Sequence, residues 1–238
     1  MGRGRQTMNH IVHSPSRIDA IICLKGAPPS LSVLEQFVDV PIIAADGAAN
    51  LLYHLDVLPE YVIGDLDSVL PEVLDAMRTT TEIIVEVDQD INDFEKALRF
   101  AQQMLWKRVL ITGIHGGDLE HTLNNWSVLV RYGKDMDLLA HDDNRIGIPL
   151  YSNTSYQAEL DELISLIPQP SVTLTTRGLV WELTHEELSL GVREGARNRS
   201  SQTHVELEVH QGAVFLFVDA RLPLLPEAVQ KPILHDES

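Results

Sequence analysis

Short runs of consecutive apolar, often β-branched residues alternate with stretches of helical periodicity over the first part of the chain. The runs lie at 18–24, 42–45, 61–63, 82–87, 109–112 and 137–141. Several are apolar at successive positions, the pattern of strands covered on both faces within a parallel sheet. Helices are predicted between them at about 47–55, 70–78, 93–105 and 121–132. The third of these places Phe94, Ala97, Leu98, Ala101, Met104 and Leu105 on one stripe. Strand and helix in alternation predict an α/β domain over 18–145, an open and mostly parallel sheet flanked by helices.

Past about residue 145 the helical period fades. Runs at 172–175, 179–183, 204–209 and 213–218 are separated by Pro, Gly, Ser and Asn. Val205, Leu207 and Val209 alternate with Glu206, Glu208 and His210, as in a strand with one wet face. A small antiparallel β-sandwich domain is therefore expected over 146–220. Residues 1–17, basic and polar, are expected to form a flexible tail, and 221–238, with three prolines, a strap or loose C-terminal tail.

Composition narrows the function classes. Of 238 residues, 44% are hydrophobic, enough for a proper core. Asp and Glu number 35 against 18 Lys and Arg, a formal net charge of −17. So acidic a chain repels nucleic-acid backbones, and it attracts cations, either divalent metals or an organic cation as substrate. The longest apolar stretch, 213–218, is far short of the roughly 18–20 residues of a membrane helix. The first 17 residues lack the apolar centre of a secretory signal, and Gln6 stands where a myristoylation motif needs Ser or Thr. The single cysteine, Cys23, has no intramolecular partner and lies in an apolar run, which fits a reducing, cytoplasmic setting. The sequons at Asn153 and Asn198 carry little weight without an export signal.

In an open α/β sheet the loops after the strands carry the ligands. Three of them here are acidic: Asp46 to Asn50, Gly64-Asp65-Leu66-Asp67-Ser68, and Asp88-Gln89-Asp90-Ile91-Asn92-Asp93. Asp65 and Asp67, at i and i+2, point to the same side of extended backbone, and a hard cation such as magnesium is the counter-charge such a pair prefers. An ordinary solvated acidic turn is the alternative for this pair alone, and the two neighbouring acidic loops favour the metal. Asn92 with Glu95 forms a capping-box pattern ahead of a periodic helix, so Asn92 is expected to be its N-cap. Asp93 gains from the helix dipole. Lys96, at i+3 from Asp93, suits either a surface ion pair or a grip on polyphosphate beside the metal. A fourth loop, Thr112 to His121, has the glycines and helix start suited to close approach of an anion. His115 and His121 within it are expected to be ordinary polar histidines rather than zinc ligands.

Taken in order, A-D-G-A-A-N-x-L at 45–52, G-D-L-D-S at 64–68, D-Q-D-x-x-D-F-E-K-A-L at 88–98 and G-x-x-G-G-x-x-x-H-T-L-x-N at 113–125 resemble the motifs of the thiamin pyrophosphokinase family. S-L-I-P at 165–168 and T-T-x-G-L-x-W at 175–181 resemble its second domain. The resemblance implies magnesium-dependent transfer of pyrophosphate from ATP to the thiamin hydroxyl, giving thiamin diphosphate and AMP. It also implies a homodimer with active sites at the subunit interface. By motif position Asp65, Asp67 and Asp93 would bind magnesium and Lys96 the phosphates. Asp46 would lie beside the metal–nucleotide site and Gln89 near thiamin. Ser68, Asn92, Glu120, Trp181 and Asn198 complete the implied substrate-binding set, Trp181 being equally readable as ordinary core. The chain departs from the family pattern at Asp118, where an arginine is usual, at Glu120 for aspartate, and at Arg197-Asn198-Arg199 for Ser-Asn-Glu. These departures keep two other functions in view, a pyrophosphokinase with another acceptor and a non-catalytic nucleotide- or thiamin-binding protein.

Overall fold

The computed structural model describes residues 8–231. They divide into two compact units, Arg17–Ile146 and a second made of the described residues up to Ser16 with those from Gly147 onward. Strand β1 (Met8–Ser14) belongs to the second unit.

The first unit runs β2 (Ala20–Cys23), α1 (Leu31–Leu34), β3 (Ile42–Ala45), α2 (Ala48–His54), β4 (Tyr61–Gly64), α3 (Pro71–Met77), β5 (Glu82–Val85), α4 (Asp93–Gln103), β6 (Arg108–Thr112), α5 (Leu119–Tyr132) and β7 (Asp137–Asp142). Its sheet has the order β7-β6-β2-β3-β4-β5 with parallel pairing throughout. The central strands carry the consecutive apolar residues, and Ala20, Ile21, Ile22, Val109, Leu110 and Ile111 are fully buried, as strands sheathed on both faces require. Successive strands build outward in one direction from β2 to β5, and in the other from β2 through β6. The loops after β2 and β6 therefore flank the point where the order reverses, the usual ligand crevice of such sheets.

Helix α4 begins as its sequence requires. The Asn92 side chain accepts a hydrogen bond from the Glu95 N–H at 2.9 Å, satisfying one of the free donors of the first turn. Its apolar stripe, Phe94, Ala97, Leu98 and Ala101, is buried. The helix ends at Gln103, two residues earlier than the period predicts. Leu105 takes a φ of 61°, Trp106 N–H bonds back to Ala101 at 2.9 Å, and Met104 and Leu105 are exposed. That backward bond closes the helix before the apolar period runs out.

The second unit contains β1, β8 (Arg145–Leu150, which straddles the boundary), β9 (Thr154–Gln157), β10 (Leu163–Arg177), β11 (Glu186–Ser189), β12 (Gly195–Arg199), β13 (His204–Asp219) and β14 (Leu225–Lys231). It is β-rich and mainly antiparallel. The strand β10 alternates cleanly, with Ile164, Leu166, Val172 and Leu174 buried between half-exposed Ser165, Ile167, Thr173 and Thr175. The predicted runs 204–209 and 213–218 are one strand, β13, whose register against β10 shifts near Gly212. The run 179–183 is a loop, because Gly178 turns the chain with a φ of 82°.

The two expected tails need correction. Residues 8–14 form β1 and residues 225–231 form β14, paired antiparallel from Met8↔Lys231 to Ser14↔Leu225. On its other side β1 runs parallel to β9. Buried His10, Ile11 and Leu225 anchor the ladder. Residues 1–7, including Gln6, and 232–238 lie outside the described residues. Among the described residues no helix is long and apolar enough to cross a membrane.

Candidate active site

Three strand ends of the first unit converge. After β3 the chain turns at Asp46 with a φ of 45°, and Asp46 N–H bonds Ile63 of β4 at 2.8 Å. The approach is so close that a Cβ on Gly64 would fall 2.7 Å from that of Asp46, so glycine is required there. Asp65, Asp67 and Ser68 follow Gly64. Asn50 fixes this loop from α2, donating to Ser68 C=O at 2.8 Å and accepting from Leu70 N–H at 2.9 Å.

The result is an acidic cluster. One carboxylate oxygen from each of Asp46, Asp65 and Asp67 lies within 4.8 Å of the others. Gln89 donates from Nε2 to Asp65 Oδ2 at 2.8 Å, and Ser68 Oγ donates to Asp67 Oδ1 at 3.0 Å. The bond from Gln89, followed by the Asp67 N–H and the charge of Lys96, holds the Asp65 carboxyl below its ordinary pKa. Burial pushes Asp46 the other way, and the charges of Asp93 and Asp67 add to that, against the Gly47 N–H and Ser68. Asp46 is 3% exposed, and its Oδ1 is buried without a hydrogen-bond partner. A buried acceptor without a donor, facing two more carboxylates, fits a hard divalent cation bound through oxygen.

Lys96 stands beside the cluster, its side chain 3% exposed and its Nζ 2.9 Å from Asp93 Oδ1. Burial opposes its charge, yet the bond to Asp93 and the charges of Asp93, Asp65 and Asp46 outweigh that and keep its pKa above the usual lysine value. The lysine end of the pair is thus interior while the Asp93 side chain is 37% exposed, unlike an i,i+3 bridge solvated at both ends. Asn92 Nδ2 donates to Asn125 Oδ1 at 3.1 Å, tying the start of α4 to α5.

A cavity of about 330 Å³ opens over these groups, lined by Asp46, Asp65, Asp67, Asp93 and Lys96 and by Ser68, Gln89 and Asn92. A second, of about 280 Å³, lies between the loops after β2 and β6 and the start of α5. Lys25, His121 and Asn125 line both. The arrangement can hold a cation and the phosphates it carries.

Eight residues singled out in the sequence thus meet around one cavity: Asp46, Asp65, Asp67, Ser68, Gln89, Asn92, Asp93 and Lys96. Within them Asp46 joins Asp65 and Asp67 in the closest carboxylate group, while Asp93 is engaged by Lys96. Glu120 is exposed in the first turn of α5 and lines neither cavity. Asp118 lines the second. His115 is paired with Asp142 at 2.9 Å. Trp181 and Asn198 belong to the other unit. Trp181 is 64% exposed, so it is not core, and Asn198 pins its backbone, donating to Trp181 C=O at 2.7 Å and accepting from Trp181 N–H at 3.1 Å. Arg199 is held by Asp161, at 2.6 Å from its C=O and 2.9 Å from its Oδ2. Asn50, Lys25 and Asn125 were not singled out. Asn50 and Asn125 sit in the quoted motifs, whereas Lys25 follows an apolar run with no pattern around it.

Fold and site together define an α/β protein with a carboxylate cluster at its strand ends that could hold a divalent metal. The sequence model of the family described as "Thiamin pyrophosphokinase, catalytic domain" matches residues 39–139. Thiamine pyrophosphokinase 2 of Arabidopsis thaliana is 31% identical over 179 residues, which cover 63% of this chain and 67% of that protein. A shorter stretch of 65 residues is 40% identical to 6-hydroxymethyl-7,8-dihydropterin pyrophosphokinase of Methanothermobacter thermautotrophicus, covering 25% of this chain and 28% of that one. Yeast thiamin pyrophosphokinase shares the fold, with a TM-score of 0.74 at 17% identity over 89% of this chain and 88% of that chain. The chain belongs to the thiamin pyrophosphokinase family.

Proposed function

We propose that the protein is a magnesium-dependent pyrophosphokinase that transfers the terminal pyrophosphoryl group of ATP to the hydroxyl of thiamin, releasing thiamin diphosphate and AMP. The observation that carries this reading is the Asp46, Asp65 and Asp67 carboxylate group, drawn within 4.8 Å and including a buried, unpartnered oxygen on Asp46, beside the interior Lys96. Asp46, Asp65 and Asp67 would hold magnesium, with Asp93 at its edge. The ion would neutralise phosphate oxygens when bound. Asp93 orients Lys96 toward the same phosphates. Gln89 keeps Asp65 ionised, and Ser68 donates a hydrogen bond to the Asp67 carboxylate.

The thiamin oxygen forms a bond to the β-phosphorus as the bond from that phosphorus to the α–β bridging oxygen breaks, and the bridging oxygen leaves with AMP. The hydroxyl proton passes to solvent. In-line placement and charge stabilisation carry such a transfer, and no dedicated general base is assigned. Thiamin, a cation, suits the acidic lining. The β-rich unit closes as a sandwich and, in a homodimer, presents Trp181 and Asn198 to the active site of a second copy. The setting is cytoplasmic, without nucleic acid or membrane as partner.

Incubation with ATP, magnesium and thiamin tests the reading, with AMP and thiamin diphosphate separated by chromatography. Asp67→Asn, Asp93→Asn and Lys96→Ala are each expected to lower turnover by at least about a hundredfold without loss of fold. A second acceptor class is favoured by the 65-residue similarity to a pterin pyrophosphokinase. AMP formed with a hydroxymethyl pterin and not with thiamin selects that class. Absence of AMP with either acceptor leaves a binding protein and overturns both.

A further inference from the structure

The two cavities meet at Lys25, on the loop after β2 where the strand order reverses. A Cβ built on Gly47 would fall 2.8 Å from Lys25 Cδ and 3.0 Å from its Cε, so the aliphatic stem lies against Gly47, the residue after Asp46. On the other side, a Cβ on Gly117 would come 3.1 Å from the Lys25 carbonyl oxygen, so the glycine-rich loop after β6 closes on the same residue. Unlike Lys96, which Asp93 holds, Lys25 makes no ion pair among the described residues. It is exposed.

We propose that Lys25 is a polyphosphate-binding residue of this site, the cation that carries the nucleotide's phosphate chain from the second cavity to the acidic cluster. The charge balance requires one. Asp46, Asp65, Asp67 and Asp93 line the first cavity with negative charge, which Lys96 and one divalent cation return only in part. The second cavity adds Asp118. Without Lys25 a triphosphate would enter a field of its own sign; with it the lining of the first cavity reaches balance, and Asp118 of the second is the charge left over. A stem packed on Gly47 holds that charge at the junction with little entropy left to lose. The proposal rests on the reading that the site binds a metal–nucleotide.

The test replaces Lys25 by methionine, which keeps the stem on Gly47, and by arginine, which keeps the charge. With the full-length protein, the KM for magnesium–ATP and inhibition by inorganic tripolyphosphate are measured beside the KM for thiamin. Lys25→Met is expected to raise the first and weaken the second by about tenfold or more, the effect of losing a charge-assisted bond to phosphate. The thiamin KM and the melting temperature should stay within twofold and within about two degrees respectively, and Lys25→Arg should recover most of the loss. Unchanged KM for magnesium–ATP and unchanged tripolyphosphate inhibition in Lys25→Met overturn the assignment. So does an equal rise in the thiamin KM with a lowered melting temperature, which marks a structural role. If the wild-type protein neither forms AMP nor binds tripolyphosphate with magnesium, the metal–nucleotide reading itself has failed, and the variants are not at issue.

Discussion

Asparagine at position 46 is expected to stabilise the metal-free protein while removing its response to magnesium. The change preserves shape, and asparagine tolerates the left-handed backbone that Asp46 adopts at a φ of 45°. Oxygens of Asp46, Asp65 and Asp67 lie within 4.8 Å of one another. At that separation two like charges repel by about 3.5 kcal/mol for an effective dielectric of about 20, and by about 0.9 kcal/mol in water. Asp67 is exposed and Asp65 partly so, which draws each repulsion toward the lower figure. Relief of two such pairs should raise the unfolding free energy by about 1–3 kcal/mol in chelator. Magnesium reverses the order. A ligand at a hundred times its Kd stabilises the native state by about 2.7 kcal/mol, and the variant should lose most of that gain. Urea unfolding of both proteins, with EDTA and with excess magnesium, reads all four values. A variant less stable than wild type in EDTA, or one with the wild-type response to magnesium, refutes the electrostatic account of the cluster.

Asn92→Ala removes the cap of α4 and the bond to Asn125, and should cost about 1 kcal/mol of unfolding free energy measured in urea, with loss of activity from a loosened Asp93 and Lys96; wild-type stability in this variant would refute the capping role. The burial of His13, aided by the charge of Arg221, lowers its pKa from 6.5 to about 4, and burial lowers that of His141 as well. The unfolded chain binds these protons first, so their contribution is complete above pH 6.5 and is lost as the pH falls toward 4. Stability measured across that range should decline more steeply than in His13→Leu; parallel curves would show that His13 charges freely in the folded state.

Sheet and loops of the first unit were legible because local signals agreed there. Residues 42–45 are apolar at every position and form a strand at those bounds, and Asn92 with Glu95 marks a helix start that the backbone bond realises. The acidic loops fall at neighbouring strand ends because a parallel sheet gathers them there. What escaped depends on partners distant in sequence. Met8–Ser14 has no clean alternation, and its strand exists through the ladder to residues 225–231, themselves interrupted by Pro226. The family resemblance implies Asp93 beside Asp65 and Asp67, and the fold brings Asp46 close to that pair as well, through the turn at φ 45° and the absence of a side chain at Gly64. The pattern around Trp181 fits core and ligand contact equally, and its 64% exposure excludes core. A lone lysine such as Lys25 acquires meaning only from the two cavities it joins.

The ladder between β1 and β14 makes the α/β unit a guest inserted in a host. Asn9 pairs with Gln230 on one side and with Thr154 on the other, so the host's first strand leaves the ribosome long before either neighbour exists. The guest, Arg17–Ile146, is complete in sequence well before the host and can fold while β1 waits with both edges open. An unpaired edge in that interval is a template for misassociation, and the polar Asn9, His10 and His13 on β1 limit its appetite for the wrong partner. The same adjacency would let β1 and β14 be joined by a short linker and new ends opened at an exposed loop of the host, giving a permuted chain whose first strand no longer has to wait.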